Sequence, residues 1–277
     1  MKKKEIEKIY RNYTRSFKKY NFYYYNKSKP LVADSDYDKL KKDILNLEKK
    51  YKYLNSKESP TNTIGYKPSK NFEKFPHRIS MLSLGNAFSE EDLINFEKKI
   101  QNFLSKNSHF KIFYSAEPKI DGISASLSYK NGKFVKGLSR GDGKEGEDIT
   151  ENLSTIKDIP KKITSKEFPQ DIDIRGEVFI KNSDFENLKD KFANPRNAAS
   201  GSLRQKNPQD TKKIPLKFIA YTFGFEKGLK VDNQFEYLEK LSDWGFKTNP
   251  LNKLIVGIKN LIENYKEVER KRADLDF

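Results

Sequence analysis

One lysine of this chain lies in a pattern that could make it a nucleophile. Lys119 belongs to the stretch AEPKIDG, residues 116–122, where Asp121 follows it by two positions and Gly122 by three. An amine attacks an electrophile only when its charged form is destabilised by burial, a nearby cation or a bound metal. Because a lysine-rich chain contains K-x-D-G by chance at some frequency, the motif needs support from other residues.

Charged residues in three later stretches could give that support. Arg140 lies in a glycine-rich turn, SRGDGKEGED, and Glu177 lies between apolar residues in IRGEVF, where a charge is unexpected. Arg196 and Arg204 lie in ANPRNAASGSLRQ, a segment rich in asparagine and small residues. An amine that attacks a phosphate needs cations to hold the phosphates and carboxylates to hold a metal or a ribose. The sequence supplies both, although a lysine at a strand end is most often only a solvated residue.

The segments around Lys119 are predicted to form strands. Residues 111–115 lead into the motif, and residues 123–129 alternate apolar side chains with serines, a period of two. Asn131-Gly132 is a strong signal for a two-residue hairpin turn. Further strands are predicted from Phe134, at 171–180 and at 216–225, and helices at 89–104, from 183, at 234–244 and at 258–273.

Two of these helices carry specific signals at their starts. Ser89 is predicted to cap the first helix, and Ser183 and Glu186 form a capping-box pattern at the second. The helix after Ser89 has an apolar face that is predicted to point inward, formed by Leu93, Phe96, Ile100, Phe103 and Leu104.

The first sixty residues differ in character from the rest. They predict two helices, the second capped by Asp34 or Ser35, and the periodicity is then lost in a stretch with proline, glycine and asparagine. We therefore predict a small helical domain at 1–60, a linker at 61–76 and a larger domain at 77–277. Strands that alternate with hairpins and helices favour an α+β fold with an antiparallel sheet, preceded by the small all-helical domain.

Composition limits the classes of function. The net charge of +16 predicts a polyanionic partner such as nucleic acid, although the excess of lysine over arginine equally fits a compositional bias. The absence of cysteine excludes thiolate catalysis and cysteine-bound zinc. The two histidines, His77 and His109, are too few for a histidine-rich metal site, and we interpret both as surface or hydrogen-bonded residues. Neither a membrane span nor a secretory signal is predicted, and a cytoplasmic location is expected.

Taken together, these stretches resemble the nucleotidyltransferase domain of bacterial NAD+-dependent DNA ligases. EPKIDG resembles the adenylation motif of that family, and SRGDGKEGED, IRGEVF and FANPRNAASGSLRQ resemble later conserved blocks in the family's order and spacing. MLSLGNAF, residues 81–88, resembles the stretch that brackets the adenine. YYYNKSKPLVADSDYDKL resembles the small domain that the NAD+-dependent ligases have and their ATP-dependent relatives lack. The resemblance extends over nearly the whole chain.

The resemblance implies a mechanism. Lys119 attacks the α-phosphorus of NAD+ and expels nicotinamide mononucleotide, and the resulting lysine–AMP passes its AMP to the 5′-phosphate of a nick in double-stranded DNA. The 3′-hydroxyl then displaces AMP, as DNA replication and repair require. Mg2+ is implied as the metal that offsets phosphate charge. Neither a membrane nor an obligate protein partner is implied.

The resemblance also implies roles for individual residues of the larger domain. Glu117 contacts the adenine, which Ser83 and Leu84 bracket, and Asp121 organises the site. The remaining implied contacts are with ribose or phosphate for Arg140, with ribose or the metal for Glu177, and with phosphate or DNA for Arg196 and Arg204.

In the small domain the resemblance implies a site for the nicotinamide mononucleotide half of NAD+. The residues are Tyr24, Asp34, Tyr37 and Asp38. Aromatic rings stack on a cationic pyridinium, and carboxylates balance its charge or bind ribose hydroxyls. The alternatives are that Tyr24 and Tyr37 pack the two helices together and that Asp34 only caps a helix.

Two departures from the family pattern lead to further expectations. Tyr25 stands where the family usually has a histidine, and two later family motifs that supply lysines and an acidic residue are not found before Phe277. We therefore expect an incomplete nucleotidyltransferase domain, the N-terminal piece of a longer ligase that does not seal nicks by itself. An ATP-dependent ligase or capping enzyme that adenylates its lysine, and a non-catalytic module that binds nucleotide or DNA, remain as alternatives.

Overall fold

The computed structural model describes residues 3–23, 31–54, 59, 72–107 and 109–277, without the side chain of Asp34. The chain forms two compact units, residues 1–72 and 73–277. Residues 60–71, most of the predicted linker 61–76, lie outside the described residues. The last three residues of that predicted linker, Lys74–Pro76, form a strand of the second unit.

The first unit is built from two helices, α1 (Lys3–Asn21) and α2 (Asp34–Lys50), followed by a 3₁₀ turn. Apolar residues at helical spacing are buried where α1 and α2 pack together, among them Phe17 and Ile44. The expectation that Asp34 or Ser35 caps α2 is wrong. The helix begins at Asp34 itself, and the extended residue before it, Ala33, occupies the cap position.

The second unit contains the remaining elements. Its strands are β1 (Lys74–Pro76), β2 (Phe113–Ala116), β3 (Ile123–Lys130), β4 (Lys133–Ser139), β5 (Glu145–Glu147), β6 (Asp171–Phe179), β7 (Lys217–Lys227) and β8 (Lys253–Val256). Its helices are α3 (Glu90–Phe103), α4 (Thr150–Leu153), α5 (Asn182–Phe185), α6 (Pro195–Leu203), α7 (Pro208–Lys212), α8 (Gln234–Asp243) and α9 (Ile258–Lys271). None of the helices described in either unit is long and apolar enough to cross a membrane.

A four-stranded antiparallel sheet in the order β4–β3–β6–β7 forms the centre of this unit. The predicted strand β3 is confirmed, and Ala125, Leu127 and Tyr129 are fully buried, although Ser126 between them is buried as well. Asn131 and Gly132 have φ values of 48° and 73°, the left-handed backbone that a tight hairpin turn requires. The pairs β1–β5 and β2–β8 form two smaller antiparallel sheets. The predicted α+β class with antiparallel sheet is therefore confirmed.

Two details of the predicted helices differ from the structure. Ser89 caps α3 as expected, accepting a hydrogen bond from the Asp92 amide, but Phe96, Phe103 and Leu104 are exposed rather than inward. The apolar pattern defines a face of the helix without specifying an element to cover it. Ser183 is not a cap, because Asp276 supplies the carboxylate that accepts hydrogen bonds from its amide and hydroxyl.

Candidate active site

Lys119 lies in the connection between β2 and β3, which buried neighbours hold in place. Ile120 is buried with Phe179 and Ile219, whereas Lys119 is exposed. A Cβ atom on Gly122 would lie 2.3 Å from the carbonyl oxygen of Val178, so only glycine lets the connection approach β6 this closely. The sequence of the motif thus fixes an exposed lysine on a tightly packed turn.

Glu177 lies on β6 beside this connection and is buried. The hydroxyl of Ser124 donates a hydrogen bond to its carboxylate over 2.8 Å. Burial raises the pKa of Glu177, while the Ser124 hydrogen bond and the positive charges of Arg196 and Lys119 oppose that rise, and Asp121 adds to it. Four of the predicted site residues therefore lie within electrostatic range of one another.

Arg196 lies in the first turn of α6 and Arg204 directly follows its last residue. Asn194 caps this helix by accepting a hydrogen bond from the Asn197 amide. Arg196 forms an ion pair of 2.9 Å with the exposed Asp121. Arg204 forms one of the same length, but its partner Glu147 has a side chain only 1% exposed. Each arginine is thus held by a carboxylate, and the two carboxylates differ greatly in burial.

Arg140 is held by a turn in which Gly141 and Gly143 have φ values of 56° and 89°. Its guanidinium donates hydrogen bonds to the hydroxyl of Ser83 at 2.8 Å and to the carbonyl of Met81 at 3.4 Å. The structure thus joins two predicted site residues, Arg140 and Ser83. Leu84, the other predicted bracket of the adenine, is 77% exposed.

His77 supports the same turn. Its Nε2 atom lies 3.1 Å from the carbonyl oxygen of Arg140, and burial lowers the pKa of the imidazole. The interpretation of His77 as a hydrogen-bonded residue without a role in chemistry fits this position.

The two predicted regions also match two family models. Residues 69–277 match the NAD-dependent DNA ligase adenylation domain, and residues 3–65 match the DNA ligase-like N-terminal NAD+-binding domain. This chain belongs to the NAD-dependent DNA ligase family. The match covers both units and confirms the resemblance that the motifs indicated.

Proteins named DNA ligase from several bacteria are similar to this member of the NAD-dependent ligase family. The one from Pelagibacter ubique (strain HTCC1062) is 64% identical over all 277 residues of the chain, which cover 41% of that protein. The one from Rickettsia massiliae (strain Mtu5) is 42% identical, with 99% of the chain and 40% of that protein covered. The one from Parvibaculum lavamentivorans is 41% identical, with 94% and 38% covered. The chain spans about two fifths of the length of these relatives.

Three polar residues of the site were missed by the sequence analysis of this ligase-family chain. Tyr221 on β7 is partly buried, and burial and the nearby Glu177 raise its pKa to about 12. Ser124 bonds Glu177, and Gln234, the first residue of α8, donates a hydrogen bond to Glu117. A tyrosine inside the strand pattern FIAYTFGF was the one available signal, since Ser124 and Gln234 acquire their roles only through tertiary contacts.

The small unit provides a structural role for one of its predicted ligand residues. The ring of Tyr37 stacks on Phe17 with 5.0 Å between ring centroids, and its hydroxyl donates to the side chain of Asn21. Tyr37 therefore joins the two helices, as the packing alternative expected. Tyr24 and the side chain of Asp34 lie outside the described residues. The predicted contacts of Tyr24, Asp34, Tyr37 and Asp38 with nicotinamide mononucleotide remain predictions.

Proposed function

We propose that this chain transfers AMP from NAD+ to its own Lys119. The observation that carries the proposal is the position of an exposed lysine on a rigid turn beside a buried carboxylate and Arg196. A nearby cation destabilises a charged amine and attracts the phosphates that the amine must attack. The family match adds the identity of the donor, because an NAD+-binding domain precedes the adenylation domain.

In the proposed step the lone pair of Lys119 Nζ attacks the α-phosphorus of NAD+. A nitrogen–phosphorus bond forms, and the phosphorus–oxygen bond to nicotinamide mononucleotide breaks with its electron pair remaining on the leaving phosphate oxygen. Nζ releases one proton to solvent, which leaves a phosphoramidate. We propose that Arg196 and Arg140 balance phosphate charge and that Arg204 contacts phosphate or DNA.

The carboxylates at this site fit magnesium held mainly through the phosphates of the substrate. No group of three or more potential ligands occurs among the described residues. Mg2+ usually keeps several waters and takes one or two carboxylates in addition to phosphates. Glu177 is within electrostatic range of both Lys119 and Asp121, so we propose Glu177 and Asp121 as the carboxylates available to the metal. Mg2+ bound there supplies positive charge that offsets the charge on the phosphates.

We propose the remaining steps of the ligase reaction for whole proteins of this family, since the chain spans about two fifths of the length of its relatives. AMP would pass to the 5′-phosphate of a DNA nick, and the strands would be joined in replication and repair. The net charge of +16 supports contact with DNA. A DNA-joining enzyme acts where the chromosome is, so we propose a cytoplasmic location. The small unit is proposed to hold the nicotinamide mononucleotide half through Tyr24, Asp34, Tyr37 and Asp38.

Mass measurement after incubation with Mg2+ and either NAD+ or ATP tests the adenylation step. We expect a gain of one AMP from NAD+ and none from ATP, and no gain in the Lys119→Arg variant. Lys111→Arg, in an exposed lysine before β2, is the matched control and should be adenylated normally. A gain from ATP alone would identify an ATP-dependent enzyme. Binding of NAD+ without any adenylate would identify a non-catalytic module.

A further inference from the structure

The carboxylate of Glu117 receives both of its hydrogen bonds from the protein on one oxygen. The Ser115 hydroxyl and the Gln234 side-chain amide both donate to Oε1, at 2.9 Å and 3.0 Å. The same amide nitrogen of Gln234 also donates to the backbone carbonyl of Tyr221 at 2.6 Å. An amide group carries two protons, so both donors of Gln234 are used.

This arrangement leaves the second oxygen of Glu117 for a ligand. Oε2 accepts no hydrogen bond from the residues that the structure describes. Gln234 cannot rotate to serve Oε2 without giving up the carbonyl of Tyr221, which fixes it to β7. The carboxylate therefore presents one free acceptor in a fixed orientation, and an acceptor of this kind selects for a hydrogen-bond donor.

We propose that Gln234, together with Ser115, is a positioning residue that keeps Glu117 an acceptor, so that the site takes a base with an amino group rather than a carbonyl at the contacted position. The inference rests on the proposed function and on the contact between Glu117 and the adenine of NAD+ that the resemblance to the ligase family implies. In chemical terms the site selects adenine over hypoxanthine. An ionised carboxylate accepts from the amino group of adenine and repels the carbonyl oxygen of hypoxanthine.

The electrostatics of Glu117 show why the two donors matter. Burial raises the pKa of Glu117, and the hydrogen bonds from Ser115 and Gln234 oppose that rise. Ser115 on β2 and Gln234 on α8 are the groups that face the Glu117 carboxylate. On β7 the titratable residue is Tyr221, whose backbone carbonyl accepts a hydrogen bond from the Gln234 amide. Without Gln234 the pKa rises further. A protonated Glu117 could then donate to the carbonyl of hypoxanthine.

The test compares NAD+ with nicotinamide hypoxanthine dinucleotide as adenylate and inosinate donors. The ratio of the second-order rate constants for modification of the lysine by the two dinucleotides is measured between about pH 5.5 and 8 for the unmodified chain and Gln234→Leu. We expect the preference for NAD+ to fall about tenfold in the variant, and to fall further as the pH is lowered. In the unmodified chain the preference should change less across the same range. Ser115→Ala should move the preference in the same direction by a smaller factor.

Gln209→Leu is the matched control. Gln209 is an exposed glutamine near the start of α7, and only its backbone amide makes a described hydrogen bond. The Gln209→Leu variant should show the same preference for NAD+ over the hypoxanthine dinucleotide, and the same pH profile, as the unmodified chain. An equal loss of rate with both dinucleotides at every pH in Gln234→Leu would show a purely structural role and overturn the inference.

The design separates this inference from the proposed function. If the unmodified chain forms no lysine–AMP, the proposed function fails, and equilibrium binding of AMP against inosine monophosphate then tests the inference directly. If Gln234→Leu does not fold by thermal unfolding, Ser115→Ala decides, and an unchanged preference in that variant rejects the inference.

Discussion

Two glutamates lie close to Lys119, Glu117 within the connection from β2 to β3 and Glu177 beside it on β6, and their pKa values are shifted by different neighbours. Burial raises the pKa of both Glu117 and Glu177. At Glu177 the opposing influences include two cations, Lys119 and Arg196, whereas at Glu117 they are the neutral donors Ser115 and Gln234. Charged neighbours change when a phosphate or metal binds, but neutral donors do not.

The difference suggests a division of tasks. We expect the charge state of Glu177 to respond to ligands that reach Lys119, and we propose that this carboxylate takes part in the chemistry of the phosphate. The charge state of Glu117 is set within the protein, so this carboxylate suits recognition of a base. A variant that disturbs Glu177 should therefore leave base recognition by Glu117 measurable, and a variant that disturbs Glu117 should leave the adenylation rate measurable.

Gly122→Ala is expected to give the largest effect, on the Glu177 side. The new Cβ atom would lie 2.3 Å from the Val178 carbonyl and 2.9 Å from Cγ of Glu177, and the connection must move away from β6. Displacement by about 1 Å lowers a rate by about 100-fold, and overpacking costs about 1–3 kcal/mol of stability. Adenylation rate and thermal unfolding measure the two effects.

Gly228→Ala controls for the stability loss. Gly228 has a φ of 91°, and no atom lies within 4 Å of the position that a Cβ atom would take there. Alanine therefore costs about 1 kcal/mol of backbone strain without displacing a neighbour. Adenylation should be unchanged in this variant. If both alanines slow adenylation equally, general destabilisation explains the loss and the close packing at Gly122 does not matter.

Glu177→Gln should lower adenylation and yet raise stability near neutral pH. The raised pKa means that the folded chain binds this proton more tightly than the unfolded chain, so the contribution of Glu177 to stability falls as the pH rises from its ordinary value of 4.5. Glutamine removes that loss, and we expect a gain of about 1 kcal/mol at neutral pH. Denaturant unfolding at acidic and neutral pH measures it. Equal stability changes at both pH values would contradict the raised pKa of Glu177.

Glu117→Gln should change selectivity more than rate. An amide offers either an acceptor or a donor, so the preference for adenine over hypoxanthine should fall about tenfold and lose its dependence on pH. The ratio of the second-order rate constants for lysine modification by the two dinucleotides provides the measurement. Glu177→Gln is the control, because it should lower both rates while leaving their ratio intact. A changed ratio in Glu177→Gln would end the proposed division of tasks.

The sequence predicts those parts of the fold and of the candidate site that depend on a pattern of neighbouring residues. The alternation in β3 and the Asn131-Gly132 turn determine a hairpin without help from distant residues. Lys119 and Glu177 stood out because a charge inside an apolar strand, and a lysine before a glycine turn, are locally unusual. The resemblance to the ligase family then supplied roles that the residue types alone left open.

The supporting contacts could not be predicted in this way because they join distant segments. Gln234 reaches Glu117 across 117 positions, and β8 pairs with β2, although neither segment has a pattern that names its partner. The same reason explains the exposed Phe96 and Phe103 of α3, where an apolar face was taken to imply a covering element. Which face is covered is a property of the tertiary fold.

Asp121→Asn gives the smallest expected effect and the finest test of the comparison. The ion pair of Asp121 with Arg196 is largely exposed, so its loss should cost less than about 0.5 kcal/mol of stability. Asp121 also raises the pKa of Glu177, and removal of its charge should lower that pKa. The carboxyl signals of Glu177 and Glu117 in an NMR titration report the pKa of each residue separately.

We expect the pKa of Glu177 to shift and that of Glu117 to stay unchanged. The control Asp243→Asn, in an exposed residue at the end of α8, should shift neither pKa. Equal shifts at both glutamates would show that they share one electrostatic environment.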